Sequence, residues 1–390
     1  MKVLLRAPLL TNSGYGVHSR QIFEWLDSKN NIDLSVECLN WGRTSWLLDE
    51  KTDNGLVGKI MRKSKQKQPP YDVTIQVQLP DEWDNSLGKK NIGISAFVET
   101  DKCNPAWVEN CNKMDHIIVP STFTKNVIKN TGITKTKISV VPEWFNHDII
   151  MLDNDFVKIE PSVEELKFSS SFNFLVISQL TALEPENDRK NLYNCIKWLC
   201  ETFEGNPDVG IVLKTNMGKG TTIDRQLSIE AVSNIIRASR KGKYPKINLV
   251  HGTMTSKEIA SLYHKDSINC YVSATRGEGY GLPIIDAAVV GMPIVATGWS
   301  GHLEFLDEDL FYAVDYNLEK IKPSRIDNRV FFEGFRWANP KRESFIKQVL
   351  RVYRNYEEAK EKSEKLKNKV RKSFNKKEIK KMYDNIFENL

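Results

Sequence analysis

Sulfur is sparse in this chain and nowhere concentrated. Six cysteines, Cys38, Cys103, Cys111, Cys195, Cys200 and Cys270, are spread over 390 residues without a C-x-x-C pair. Such spacing argues against a zinc ribbon or a dense disulfide framework and predicts free, buried thiols. The six histidines are just as scattered. No apolar run approaches the roughly 18 residues of a membrane helix. The opening run, 1–8, is too short and too interrupted for a signal peptide. No repeat of solenoid kind is present. The sequence is not poor in hydrophobic residues, which make up 40%, or in aromatics, at 10%, so disorder is not expected either. Together these absences predict a globular protein of the cytoplasm.

What is present is an alternation. A chain of 390 residues is long for one core and predicts two domains. Apolar runs at 3–7, 32–39, 73–79, 92–97, 117–119 and 138–141 alternate with helical or loop segments, the pattern of a largely parallel sheet. The first run leads through a turn-rich loop with Gly14-Tyr15-Gly16 into a helix over about 17–26. Residues 41–70 are long, basic and closed by Pro69-Pro70, and read as a surface excursion. Ser121 stands where it would cap a helix after the fifth run. The polar, acidic stretch 148–171 reads as the crossing to a second domain with strands at 174–177, 210–216, 247–252, 270–272 and 293–296. Residues 254–263 read as a capped helix, and 343–390 show helical periodicity.

The most informative stretch is 273–301. It joins a strand to a loop with Gly277, Gly279 and Gly281, then to a short helix opened by Pro283 and closed by Gly291, then to another strand. Glycines there let a backbone approach a ligand, and the first turn of a helix favours an anion. Glu278 in the loop and Asp286 in the helix place two carboxylates eight residues apart. Upstream, Arg189-Lys190-Asn191 precedes a helix at 192–203, a second place where cations and a helix start would hold an anion jointly.

The stretch from Arg276 through Glu278, Gly279-Tyr280-Gly281-Leu282 and Asp286 resembles the signature of the retaining glycosyltransferases of family four. These have the GT-B fold, an α/β architecture of two doubly wound Rossmann-like domains about an interdomain cleft, with a C-terminal helix crossing back to the first domain. Asp286 stands where the family usually has glutamate, which keeps the charge and shortens the reach. The resemblance implies an acceptor-side domain over 1–158 with 374–390 returning to it, and a nucleotide-sugar domain over 159–373. It further implies that Arg189 and Lys190 stabilise the leaving diphosphate, and that Glu278 holds donor sugar hydroxyls and Asp286 the ribose. Gly14, Tyr15 and Gly16 would face the diphosphate, with Lys214 and Thr297 completing the donor pocket and Glu99 on the acceptor side.

The activity so implied is transfer of a hexosyl or pentosyl group from a nucleotide diphosphate to an acceptor hydroxyl, with retention, no cofactor and no metal. Asp307-Glu308-Asp309 has the form of a metal-binding D-x-D but lies after the pocket loop and reads as a surface turn. The formal charge of +6 fits an anionic partner. Basic runs at Lys59, Arg62, Lys63, Lys65, Lys67 and at Arg237, Arg240, Lys241, Lys243, Lys246 read either as solvated surface or as a rim for nucleic acid. A glycan ranks first as acceptor and a hydroxymethylated base in duplex phage DNA second. From other classes, a nucleotide-sugar binder without turnover and a nucleic-acid binder compete with the enzyme.

Overall fold

The computed structural model describes residues 1–153 and 157–389. The chain forms two compact units: Met1–Trp144 with Asp327–Phe335 and Lys376–Leu390, and Phe145–Ile326 with Arg336–Asn375. The sequence reading puts the division at 158/159 and 373/374, and 154–156 of the expected crossing lie outside the described residues.

In the first unit the strands are β1 (Lys2–Ala7), β2 (Asp33–Cys38), β3 (Tyr71–Val77), β4 (Gly88–Ile94), β5 (His116–Val119) and β6 (Ile138–Val140). They lie in the order β2-β1-β3-β4-β5-β6 and pair in parallel throughout. The helices between them are α1 (Gly14–Asp27), α2 (Thr52–Ser64), α3 (Pro105–Cys111) and α4 (Thr122–Thr131). Ser121 caps α4 as expected, its Oγ accepting from the Thr124 N–H at 3.2 Å.

The second unit begins with two short helices, α5 (Asp148–Met151) and α6 (Pro161–Glu164), and strand β7 (Phe172–Ile177). It continues through α7 (Leu192–Thr202), β8 (Val209–Thr215), α8 (Thr222–Ser239), β9 (Lys246–His251) and α9 (Ser256–Tyr263). Next come β10 (Cys270–Ser273), α10 (Leu282–Val290), β11 (Ile294–Thr297) and β12 (Tyr312–Val314). The parallel sheet runs β12-β11-β10-β7-β8-β9. All seven residues of β8 are buried, as suits a parallel strand covered on both faces. Strands β13 (Tyr316–Lys320) and β14 (Arg336–Pro340) form a separate antiparallel hairpin. The chain ends in α11 (Arg342–Arg354), α12 (Tyr356–Ser373) and α13 (Lys376–Phe387). The last of these belongs to the first unit, where Ile379 and Tyr383 are buried in the core with Ile22, Trp25 and Trp144.

Both sheets therefore have a point where the strand order reverses. The first chain half goes outward from β1 to β2 and returns past β1 to β3. The second goes from β7 to β8 and β9, then returns to β10 on the other side of β7. Ligands of open α/β sheets bind at the carboxyl ends of the strands flanking such a point.

The excursion at 41–70 is not all surface, because α2 turns Val57 and Ile60 into the core of the first unit. The stretch of helical periodicity at 343–390 is three helices. No helix of the described residues is long and apolar enough to cross a membrane.

Candidate functional site

Arg189 and Lys190 follow β7, and Glu278 follows β10, so the switch point of the second sheet brings the three together. Lys190 Nζ donates to both Glu278 carboxylate oxygens, at 2.6 and 2.7 Å. Arg189 Nη1 donates to the Gly277 carbonyl at 2.6 Å and lies 3.4 Å from Glu278 Oε2. Burial alone would raise the pKa of Glu278, but the charges of Lys190 and Arg189 outweigh it and hold the value down at about 2.

The loop that carries the two cations is built on Asp188, which is completely buried. Its Oδ2 accepts from the Leu192 N–H at 2.7 Å, closing the start of α7. Its Oδ1 accepts from the Lys190 N–H at 3.2 Å and from the Thr181 hydroxyl at 2.5 Å. The Asn191 side chain, whose backbone is left-handed at φ 52°, donates to the Ala274 carbonyl at 3.0 Å. This ties the loop after β7 to the strand end before Glu278. The sequence signal for Asp188 is an acidic residue just ahead of a helix.

The Glu278 loop is held from the other side by the segment after β11. The Gly301 N–H donates to the Glu278 carbonyl at 2.8 Å, and the Glu278 N–H donates to Ser300 Oγ at 2.9 Å. A Cβ on Gly301 would stand 2.0 Å from the Gly279 carbonyl oxygen, so only glycine allows this approach. Thr297 Oγ1 donates to the Thr275 carbonyl at 2.7 Å. His302, also completely buried, donates from Nε2 to the Thr297 carbonyl at 2.7 Å and is a packed residue of this loop. No side chain caps α10, whose N-cap is Gly281 and whose first turn contains Pro283.

Other expected donor residues have different surroundings. Arg276 is buried, with Nη1 donating to Asn339 Oδ1 at 2.6 Å and its guanidinium 5.7 Å from the Trp337 ring centre. Tyr280 sits in the core against Phe305, and Leu282 packs beside the same core. Asp286 lies past the first turn of α10 and accepts the Asn146 N–H at 2.9 Å. Burial raises its pKa to about 7, opposed by that one hydrogen bond. Lys214, at the end of β8, donates to the Gly252 carbonyl at 2.5 Å. Burial lowers its pKa to about 8, against the charges of Asp224 and Glu258.

The loop after β1, in the first unit, is a second polar cluster. Ser13 caps α1 by accepting the Gly16 N–H at 3.0 Å, and a Cβ on Gly16 would meet the Thr11 carbonyl oxygen at 2.0 Å. Gly14 is exposed with open space around it. The Tyr15 hydroxyl accepts from the Ala96 N–H at 2.9 Å and is hydrogen-bonded to Ser95 Oγ at 3.0 Å, while its ring stacks on Trp41 at 3.8 Å. Glu99 is half-buried in the loop after β4, and its charge, after burial, helps raise the Tyr15 pKa. Trp41 gives no sequence signal beyond being aromatic.

Nearby, His18 Nε2 is 3.0 Å from the Tyr383 hydroxyl, and its Nδ1 is 4.0 Å from Glu143 Oε1. Burial moves both groups toward neutrality, lowering His18 to about 4 and raising Glu143 to about 8. Sequence reading passes over both.

The first basic run is partly neutralised where it stands. Lys59 pairs with Asp27 at 3.3 Å and Arg62 with Glu50 at 3.9 Å. Asp307 of the D-x-D sequence pairs with Lys369 at 2.7 Å. Among the described residues, no group of three or more His, Cys, Asp or Glu is gathered as a metal site.

No protein-family model matches the sequence, and no curated protein does. Solved structures do match. The structure of Anabaena HepE in complex with UDP and glucose covers 100% of this chain and 100% of its own, with a TM-score of 0.62 and 12% identity. Sucrose-phosphate synthase from Thermosynechococcus elongatus covers 100% and 98%, at a TM-score of 0.65 and 11% identity. A glycosyltransferase from Rickettsia africae covers 100% and 98%, at 0.64 and 13%. At such identities what is shared is the architecture, so this chain has the GT-B fold, with two Rossmann-like domains.

Proposed function

We propose that the protein is a retaining glycosyltransferase that moves a hexosyl or pentosyl group from a nucleotide diphosphate to a hydroxyl of a glycan, without a metal. The observation that carries this reading is the meeting of Lys190 and Arg189 with Glu278 at the switch point of the second sheet. Two cations stand beside one carboxylate, and the uncapped start of α10 adds a partial positive charge. A diphosphate gains negative charge as its bond to the sugar breaks. Groups fixed in advance around that charge lower the barrier more than they tighten the ground state. In the reaction proposed, Lys190 and Arg189 take the leaving diphosphate and Glu278 orients the sugar through its hydroxyls. The acceptor hydroxyl attacks the face the diphosphate leaves and passes its proton to the departing phosphate oxygen as the old C–O bond breaks and the new one forms, so retention needs no covalent enzyme intermediate. Asp286 contacts the ribose. Lys214, Thr297 and the Gly14-Tyr15-Gly16 loop complete the donor site, and Glu99 serves the acceptor.

The fold relatives support this reading, since HepE was solved with UDP and glucose, and UDP-glucose is therefore the first donor to test. A cytoplasmic place of action is part of the proposal and rests on six unpaired cysteines, all but Cys38 buried. The test is a coupled assay for released nucleoside diphosphate over a panel of nucleotide sugars and saccharide acceptors, with and without a chelator. Turnover that survives chelation, with the anomeric configuration of the donor kept in the product, is the expected result. An inverted product would overturn retention, a chelator-sensitive rate restored by manganese would overturn the metal-free scheme, and no turnover with any donor would overturn the enzyme reading.

A further inference from the structure

Ser300 is the strained residue of the loop after β11. Its backbone stands at φ 98° and ψ −162°, a region occupied in practice by glycine and costly for any residue with a Cβ. Glycine would meet no such penalty, so what serine adds is a hydroxyl. That hydroxyl is engaged on both sides: Oγ accepts from the Glu278 N–H at 2.9 Å and stands 3.3 Å from His302 Nδ1. The direction of the second bond follows from the other ring nitrogen. His302 Nε2 lies 2.7 Å from the Thr297 carbonyl, which only accepts, so Nε2 carries the proton. Burial lowers the pKa of His302 and keeps the ring neutral, which leaves Nδ1 as the acceptor for the Ser300 O–H. A single directed chain results, from the Glu278 N–H to Ser300, to His302 and to the Thr297 carbonyl. Thr297 is in turn bonded to Thr275, three residues before Glu278.

We infer that Ser300 and His302 are positioning residues that lock the backbone of Glu278 so that its carboxylate stays on Lys190 and Arg189, with strain at Ser300 as the cost. The catalytic half of this inference rests on the transferase reading above. The ordering half rests on the hydrogen-bond chain alone.

Four variants separate strain from positioning. Ser300→Gly removes the hydroxyl and the strain, Ser300→Ala removes the hydroxyl alone, His302→Leu removes the acceptor, and His302→Asn keeps an acceptor near the place of Nδ1. Ser300→Gly should melt roughly 2–4 °C above Ser300→Ala, the scale of about 1 kcal/mol in a domain of this size. The two should nonetheless lose about the same kcat, roughly 10- to 100-fold, because a misplaced reacting group costs rate without costing affinity. UDP affinity by calorimetry should stay within about threefold of the parent if binding is nearly uniform. His302→Leu should fall with them and His302→Asn should stay near the parent rate. Were the role merely structural, the more stable glycine variant would be the faster one. Hydrogen exchange across residues 275–281 of the ligand-free protein should quicken in the Ser300 variants and His302→Leu, but not in His302→Asn.

In an active parent enzyme, unchanged kcat in Ser300→Gly overturns the inference whatever exchange shows. If the parent transfers no sugar at all, the proposed function fails, and exchange decides the inference: faster exchange upholds it and unchanged exchange overturns it. Should Ser300→Ala or His302→Leu fail to fold, the glycine and asparagine variants carry the same comparison.

Discussion

At the β7/β10 switch point a carboxylate, an amine and a guanidinium meet within 3.4 Å, whereas near the β1 loop the buried pair His18 and Glu143 is held neutral. Glu278 and Glu143 make the contrast concrete. Both are buried, and burial raises a carboxyl pKa in each. Glu278 has two cations beside it and is held near 2, while Glu143 has a neutral imidazole 4.0 Å away and rises to about 8. The difference teaches that burial does not decide the charge of a site. The partners do. A cluster that gathers two cations around a buried carboxylate needs a further reason to exist, and an anionic ligand supplies one. The neutral cluster, with the His18–Tyr383 bond and the Tyr15–Trp41 stack, instead joins α1 and α13 within one core.

The largest effect that separates the two clusters is on turnover. Lys190→Ala should slow transfer by about 10²- to 10³-fold, the loss seen when one donor to a developing charge is removed. Without that cation the Glu278 pKa should rise, moving the acid limb of the pH–rate profile to higher pH. Tyr15→Phe, which deletes a hydroxyl bonded to Ser95 and Ala96, should cost about 1–2 kcal/mol of stability and slow transfer by less than about tenfold. Comparable loss of turnover in both would mean that the charged cluster has no special place in the reaction.

A smaller effect concerns pH. The folded pKa of Glu143 is raised from 4.5 to about 8, so the native state keeps a proton that the unfolded chain gives up. The stability this contributes is whole below about pH 4.5 and is lost as pH rises through 8. His18 works in the opposite sense and lower down, because its value falls from 6.5 to about 4 and its contribution grows between those limits. Between pH 7 and 8 the Glu143 term acts without it. Glu143→Gln should therefore flatten the decline in unfolding free energy, measured by denaturant titration across that window, by up to about 1 kcal/mol, on the scale of one pKa unit. A decline equal to the parent's would show that Glu143 is ionised in the folded protein.

How much was legible follows the same division. Arg189, Lys190 and Glu278 stand in a strand, loop, helix setting with glycines and cations at fixed places, and that pattern reads from one dimension. The α/β alternation of both units does too, because buried parallel strands are continuous apolar runs. Asp286 was readable as a carboxylate but not as a group at about 7, since only folding brings the Asn146 N–H and no cation to it. The left-handed backbone of Ser300 is invisible in a residue type that seldom adopts it. The β13–β14 hairpin was missed because β13 is mostly exposed and carries no alternation. In α2 the flanking lysines and arginines conceal two buried apolar side chains, Val57 and Ile60.

The central claim is that Lys190 and Arg189 hold the diphosphate while Glu278 restrains them and orients the sugar. Calorimetric titration of UDP into the parent, Glu278→Gln and Lys190→Ala, run beside a transfer assay on the same samples, tests it directly. Removing the carboxylate paired with both cations should leave UDP affinity unchanged or tighter in Glu278→Gln while transfer falls by about a hundredfold or more. Lys190→Ala should lose affinity by about tenfold or more, equivalent to about 1.4 kcal/mol. Weaker UDP binding in Glu278→Gln with transfer retained would contradict the account.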